Sequence, residues 1–444
     1  MTEKLAIFGG PKAVLSDPGD MFVWPIITKE DDDAVLDVLH RRAMSGTDVT
    51  KLFEKDIAKW QGSEYALAFS SGTAAIHAAM FACKVGIGDE IIVPSVTYWA
   101  SAAQVFSLGG TPVFAEIDPD TLCLDPKDIE HRITEKTKAI VVVHYCGYPA
   151  DMDAIMAIAR RRNLKVIEDA SHAQGGMYKG SKLGTIGDVG AMSMMSGKSF
   201  AIGEGGMLVT NDREIYDRAI IFGHHDGAHT REIQTEYLKE YIGLPIGGYK
   251  FRMHQMSSAV GRVQVKYYDS RIAELRKAMN YFWDLLEGVP GLKAHRTIPG
   301  SDSTMAGWYA PHGLYRSEEL GGLSVTRFAE AVRAEGAVQC HPGCNAALHT
   351  HAFFNTCDVY GHGKPTRIAN SNWDVRENDK SLPVSEKIGT MVYSIPWFIH
   401  YRPEIIEQYA NAYRKAAENY KELLKDDPGN PPRLGGWVFF KSAL

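Results

Sequence analysis

Short apolar segments alternate with helical patterns from about Tyr65 onward. The runs "YALAF", "EIIVPSV", "AIVVVHY" and "LKVIEDA" have the length of buried strands, whereas "DMDAIMAIARRRN" follows a helical period. Strands that alternate with helices predict an α/β fold, with a mostly parallel sheet covered by helices on both faces. Right-handed crossovers bring the carboxyl ends of the strands to one edge, where such sheets bind ligands.

The pattern becomes less regular after about residue 280, where "MNYFWDLLEGVPGL" predicts a helix that ends at a turn. We therefore predict two domains. Residues 1–280 form a large domain with an N-terminal arm, and residues 281–444 form a smaller α+β domain with a Pro/Gly-rich tail. The tail is either flexible or docked through its aromatic residues Trp437, Phe439 and Phe440.

Composition narrows the class of protein. A chain of 444 residues that is 45% hydrophobic buries a large core without metals or disulfides. Its net charge of -6 is spread along the chain and offers no basic face to nucleic acid. Six dispersed cysteines indicate reduced thiols, and no apolar run is long enough to span a bilayer. We expect a cytoplasmic protein that binds neither nucleic acid nor membrane.

Four features with chemical potential lie at the ends of predicted strands. "SSGTAAIH" opens a helix after "YALAF", and a helix N-terminus can bind a phosphate. Asp169 can hold a protonated ring nitrogen, Tyr98 can stack on a flat ring, and Lys198 can form a Schiff base with a carbonyl cofactor. Each alone has a plainer interpretation, such as an N-cap or a solvated lysine. Together they match the needs of pyridoxal 5'-phosphate (PLP).

At these residues the sequence resembles the DegT/StrS sugar aminotransferases, which are PLP enzymes of fold type I. The similarity is most specific in "SSGTAAIHAAM", "VPSVTYWASAAQV", "VIEDASHAQGG" and "SMMSGKSFAIGEGGMLVTND". It implies a large PLP-binding domain and a transaminase of amino sugar biosynthesis, which moves an amino group from glutamate or glutamine to a ketone of a sugar or cyclitol. It also implies a homodimer with shared active sites.

The resemblance implies a role for each matching position. Lys198 would bind PLP as a Schiff base and act in catalysis with Asp169, which would bind the pyridine nitrogen, while Tyr98 would stack on the ring. The positions for the ring hydroxyl and the phosphate are His172, Gly72, Thr73 and Ser193.

One position departs from the family pattern, because the usual "GYNYRM" appears as "GYKFRM" at residues 248–253. Lys250 therefore stands where an Asn commonly reaches the phosphate in the partner subunit. An ammonium can keep that contact in altered form, or it can face substrate or solvent.

Three alternatives remain open at this point. The first is a PLP enzyme of another reaction type, such as a lyase, a dehydratase or a relative of aminohydroxybenzoate synthase, although Lys198 argues against the dehydratase branch, which has His there. The second is a non-catalytic PLP-binding protein. The third is a metal site in "CHPGCNAALHTH", residues 340–351, whose spacing fits no zinc signature, so we expect no metal.

Overall fold

The computed structural model describes residues 3–225, 227–369 and 382–436. The tail residues Trp437, Phe439 and Phe440 lie outside the described part of the chain. The strands are β1 Tyr65–Phe69, β2 Glu90–Pro94, β3 Thr111–Ala115, β4 Thr137–Val143, β5 Lys165–Asp169, β6 Met177–Tyr178, β7 Ser181–Lys182, β8 Val189–Ser193, β9 Gly206–Thr210, β10 Leu292–Ala294, β11 His312–Tyr315 and β12 Val392–Ser394. The helices are α1 Lys29–His40, α2 Asp48–Gln61, α3 Gly72–Ala82, α4 Pro126–Arg132, α5 Met152–Arg162, α6 Arg213–Gly223, α7 Gln255–Leu285, α8 Val325–Ala334, α9 Ala352–Asn355, α10 Pro383–Lys387, α11 Pro403–Glu418 and α12 Tyr420–Leu423.

A seven-stranded sheet in the order β1-β9-β8-β5-β4-β2-β3 occupies the first half of the chain. Every strand runs in one direction except β9, which is antiparallel to β1 and β8. The predicted α/β fold with a mostly parallel sheet is confirmed. β9 follows β8 through a hairpin loop, residues 194–205, and pairs with it in the opposite direction. That loop contains Lys198.

Helices cover both faces of this sheet. Successive strand side chains point to opposite faces, so Ile91 packs in a buried cluster with α3 and α6, and Ile92 packs in another with α4 and α5. The strands read as continuous apolar runs because both faces are covered. This coverage leaves the strand ends and their loops as the place for polar side chains.

A second sheet, β10-β11-β12, is small and antiparallel. The 31-residue helix α7 packs on α1 and α2 and on α11, and its end contributes Phe282 and Trp283 to the core around this second sheet. No helix in the described ranges is both long and apolar enough to cross a membrane.

The N-terminal arm packs against this second core, which the sequence did not predict. A buried carboxylate fastens it, since Glu335 accepts the N–H groups of Ala6 (2.7 Å) and Ala13 (3.1 Å) and pairs with Lys415 (3.0 Å). Further along the arm, Trp24 Nε1 donates to the carbonyl of Lys198 (2.8 Å). The arm therefore joins the second core to the loop between β8 and β9.

Candidate active site

Lys198 lies in the hairpin loop between β8 and β9 and is only 8% exposed. Its N–H donates to the carbonyl of Met195 (2.8 Å), and a second hydrogen bond from Ser196 N–H to Gly203 O (2.8 Å) closes the loop. With the bond from Trp24 as well, the backbone on both sides of Lys198 is held in place. The amine therefore projects from a fixed support.

Burial lowers the pKa of Lys198 to about 8, against the opposing effects of Asp169 and Cys146, which raise it. An ammonium loses hydration in such a site, and this disfavours the charged form. About half of the amine is therefore unprotonated near pH 8, the state needed for nucleophilic attack or for accepting a proton.

Asp169 ends β5, and its carboxylate is buried and held by two donors. Oδ2 accepts the hydroxyl of Ser101 (2.7 Å), and Oδ1 accepts the N–H of Ser171 (3.1 Å). Each carboxylate oxygen has two lone pairs, so both retain capacity for a further donor. The arrangement fits the protonated nitrogen of a bound ring, which would form a charge-assisted hydrogen bond.

The tautomer of His172 follows from one backbone contact. Its Nδ1 accepts the N–H of Cys146 (3.2 Å), so the proton of the neutral ring is on Nε2. Burial holds the pKa of His172 well below its usual value, and the charges of Lys198 and His312 act in the same direction. His172 is therefore a neutral Nε2–H donor at physiological pH, suited to an oxygen on a ring.

The start of α3 and the end of β8 are in direct contact. Ser71 caps the helix by accepting the N–H of Ala74 (3.1 Å). A Cβ on Gly72 would lie 2.5 Å from Ser193 Cβ, so only glycine permits this approach. Thr73 follows in the first helical turn, whose N–H groups lack partners within the helix. The structure thus brings Gly72, Thr73 and Ser193 together at a helix N-terminus, which suits a phosphate.

Tyr98 and Lys250 are placed differently from the others. Tyr98 follows β2, is half-buried and packs at 4.9 Å against the ring of Trp99. Lys250 is exposed, two residues before Arg252, which pairs with Phe69 at the end of β1. The other six predicted residues are buried or half-buried.

Sequence reasoning missed several residues that support the site. Gln174 accepts the hydroxyl of Ser199 (2.8 Å) and donates to the carbonyl of Ser193 (2.5 Å), which ties the loop after β5 to the loop after β8. Tyr309 places its ring centroid 4.0 Å from Lys198 Nζ. Gln174 lies within the string "VIEDASHAQGG", which carries the family resemblance and could have indicated it, whereas no local signal marks Tyr309.

The residues of the segment 340–351, which the sequence left open as an alternative metal site, contact other groups. Cys340 is buried in the second core, and His349 contacts Ser95 Oγ (2.6 Å) and Glu386 Oε1 (3.3 Å). Within the described ranges, His, Cys, Asp and Glu side chains form no group of three or more that could hold a metal ion.

The model of the DegT/DnrJ/EryC1/StrS aminotransferase family matches residues 25–391. L-glutamine:scyllo-inosose aminotransferase of Streptomyces griseus is 32% identical over 445 residues, covering 96% of this chain and 100% of that protein. GDP-perosamine synthase of Escherichia coli O157:H7 is 39% identical over 230 residues, which span 52% of this chain and 61% of that protein. The X-ray structure of the aminotransferase from Psychrobacter cryohalolentis is 30% identical, with a TM-score of 0.77, covering 90% of this chain and 99% of that one.

Proposed function

The chain belongs to the DegT/DnrJ/EryC1/StrS aminotransferase family, and we propose that it transfers an amino group from glutamine or glutamate to a ketone of a sugar or cyclitol. It is a transaminase with PLP as its cofactor. The observation that carries the proposal is the buried Lys198 amine, whose pKa is lowered to about 8 and which feels the charge of Asp169. The S. griseus relative, named for glutamine and scyllo-inosose, supports the choice of donor and acceptor classes.

Lys198, Asp169 and His172 have separate chemical roles. Bound PLP supplies an electron sink for the pair left when a proton departs from the donor carbon. Lys198 Nζ accepts that proton and returns it, since its amine is partly unprotonated near neutral pH. Asp169 keeps the ring nitrogen protonated, and His172 Nε2–H donates to the ring hydroxyl.

The remaining residues bind and orient the cofactor. Gly72, Thr73 and Ser193 would hold the phosphate at the start of α3, where the helix dipole favours an anion. Tyr98 would stack on the ring. Burial of the site excludes water and strengthens each of these electrostatic contacts.

Assay of the purified enzyme with PLP, glutamine and a panel of keto-sugars and inososes tests the proposal, with the amine product detected by mass spectrometry. Lys198→Ala should abolish turnover. Lys182→Ala is the matched control, because Lys182 is also partly buried with a lowered pKa, yet it lies 4.1 Å from the ring of Trp60 instead of beside Asp169. Multiple turnover by Lys198→Ala, or dehydrated product without amination, would refute the assignment.

We further propose that the active unit is a homodimer. Exposed apolar side chains, which often mark protein interfaces, gather on the N-terminal segment and on the segment before Lys250. The exposed residues of the N-terminal segment are Val23, Ile27, Leu36, Leu39, Met44 and Leu52. Those of the segment before Lys250 are Tyr237, Tyr241, Ile242 and Leu244. In such a dimer Lys250 would reach the partner's phosphate.

Mixing two inactive variants tests this sharing of sites. A dimer of one Lys198→Ala chain and one Lys250→Ala chain keeps one intact site if Lys250 acts across the interface. Random pairing should then restore about a quarter of wild-type activity. Full activity of Lys250→Ala alone would contradict the phosphate contact, and no recovery on mixing would contradict sharing.

We also propose a cytoplasmic location. All six cysteines are free thiols, as expected in a reducing compartment. Fractionation of cells that express the full chain tests this, and recovery outside the cytoplasm would refute it.

A further inference from the structure

The ring of Tyr309 contacts two residues of the site at once. Its centroid lies 4.0 Å from Lys198 Nζ, within the range of a cation–π contact. It also lies 4.6 Å from the centroid of the His172 ring. Lys198 is almost fully buried and little water competes for the ammonium, so the attraction is stronger than on a surface.

The backbone that carries Tyr309 adopts an unfavourable conformation on both sides of it. Ala306, Trp308 and Ala310 have φ angles of 46°, 49° and 49°, in the left-handed region that residues with a Cβ rarely adopt. Such backbone persists where the surroundings hold it, and it is concentrated at functional sites.

Two contacts fix this segment, and one of them is to the lysine loop. Trp397 Nε1 donates to the carbonyl of Gly307 (2.9 Å). A Cβ on Gly307 would lie 2.2 Å from Ser199 Cβ, so the segment touches the residue that follows Lys198. The position of the Tyr309 ring is therefore set by the same structure that sets the lysine.

We propose that Tyr309 is a positioning residue. The Lys198 ammonium lies against the face of its ring whenever that amine is not bonded to the cofactor. This inference rests on the proposed amino transfer, in which the lysine is free between the two halves of the reaction. The ring contacts both Nζ and the ring of His172, so the amine keeps its position in the site between the two halves of the reaction. The contact uses the ring face, so phenylalanine should replace tyrosine and an aliphatic side chain should not.

Acetylation of Lys198 across a pH series tests this cation–π contact without measuring enzyme activity. The full-length protein, saturated with pyridoxamine phosphate, which cannot bond to the lysine, is pulsed with a trace of acetic anhydride across a pH series. Mass spectrometry reports acetylation of Lys198, and Lys182 on the ring of Trp60 in the same sample is the internal control. In Tyr309→Leu the Lys198 midpoint should fall by about half to one pH unit, a three- to tenfold weaker protonation, with Lys182 unchanged.

A fluorinated series guards against a folding defect in Tyr309→Leu. Phenylalanine at position 309 should keep the wild-type midpoint, and each added ring fluorine should lower it in steps, because fluorine weakens the negative ring face while shape is nearly unchanged. An unchanged midpoint across the series overturns the proposal, as does a loss in Tyr309→Phe equal to that in Tyr309→Leu. If the midpoint shifts as expected but no ketone is aminated, the proposed function fails and the ring contact stands.

Discussion

Gly72→Ala tests the phosphate site directly, because the structure sets the size of the disturbance. The added Cβ would lie 2.5 Å from Ser193 Cβ, 2.6 Å from its Cα and 2.9 Å from its N. Carbon atoms in contact normally stand about 3.5 Å apart, so the start of α3 and the end of β8 must separate by about 1 Å. Two of the three close atoms belong to the backbone, and rotation of a side chain therefore provides no relief.

A displacement of this size moves Gly72 and Thr73, whose N–H groups we propose as phosphate donors, away from Ser193. Misplacement by about 1 Å can cost about 100-fold in rate, and the strain itself about 1–3 kcal/mol of stability. We expect Gly72→Ala to fold, to bind PLP about tenfold or more weakly, and to lose about 100-fold in kcat. PLP titration by absorbance and steady-state kinetics measure both.

Gly86→Ala is the matched control for this variant. A Cβ on Gly86 would meet only Asp89 Oδ2 at 3.9 Å, an ordinary contact, and its φ is not in the left-handed region. This variant should bind PLP as the wild type does. Wild-type PLP affinity and kcat in Gly72→Ala would refute the inference that the phosphate lies where α3 meets β8.

Three further outcomes are expected. The rate at which PLP attaches to the full-length apoprotein should rise about tenfold per pH unit below about pH 8 and level off above it, because only unprotonated Lys198 attacks. A rate that is constant from pH 6 to 9 would contradict this. Ser101→Ala removes a buried hydrogen bond to the carboxylate of Asp169 and should lower kcat about 10–100-fold. Ser107→Ala on the same segment is the control and should leave kcat unchanged. Glu335→Gln should lower the free energy of unfolding by about 3–5 kcal/mol in denaturant titration, because it leaves the Lys415 ammonium buried and unpaired. Lys415→Met in the same chain should restore part of this loss, since the amide oxygen still replaces only one of the two oxygens that accept from Ala6 and Ala13. Equal losses in the single and double variants would argue against the buried pair.

The sequence predicted the sheet well because the signals of strands and helices are local. Apolar runs marked the strands, and the residues that follow them stood at the sheet edge where the site lies. The roles of Lys198, Asp169 and the phosphate residues remain predictions, but the structure brings these side chains to one edge of the sheet as the strand-end argument requires.

The supporting contacts could not be predicted from the sequence because they join residues that are far apart in the chain. Ser101 is 68 positions from Asp169, and Trp24 is 174 positions from Lys198, so no spacing in the sequence pairs them. The packing of the N-terminal arm on the second core was missed for the same reason. Contacts of this kind arise from how elements pack and have no signature in a short motif.

The sequence by itself determined the α/β architecture and placed the candidate site residues at strand ends, since periodicity and motif order are properties of the chain. Only the tertiary structure decided how those groups behave. Burial lowers the pKa of Lys198, a backbone N–H from Cys146 selects the tautomer of His172, and a strained segment brings Tyr309 over the amine. Each of these depends on desolvation or on a partner from another element, which exists only once the chain is folded.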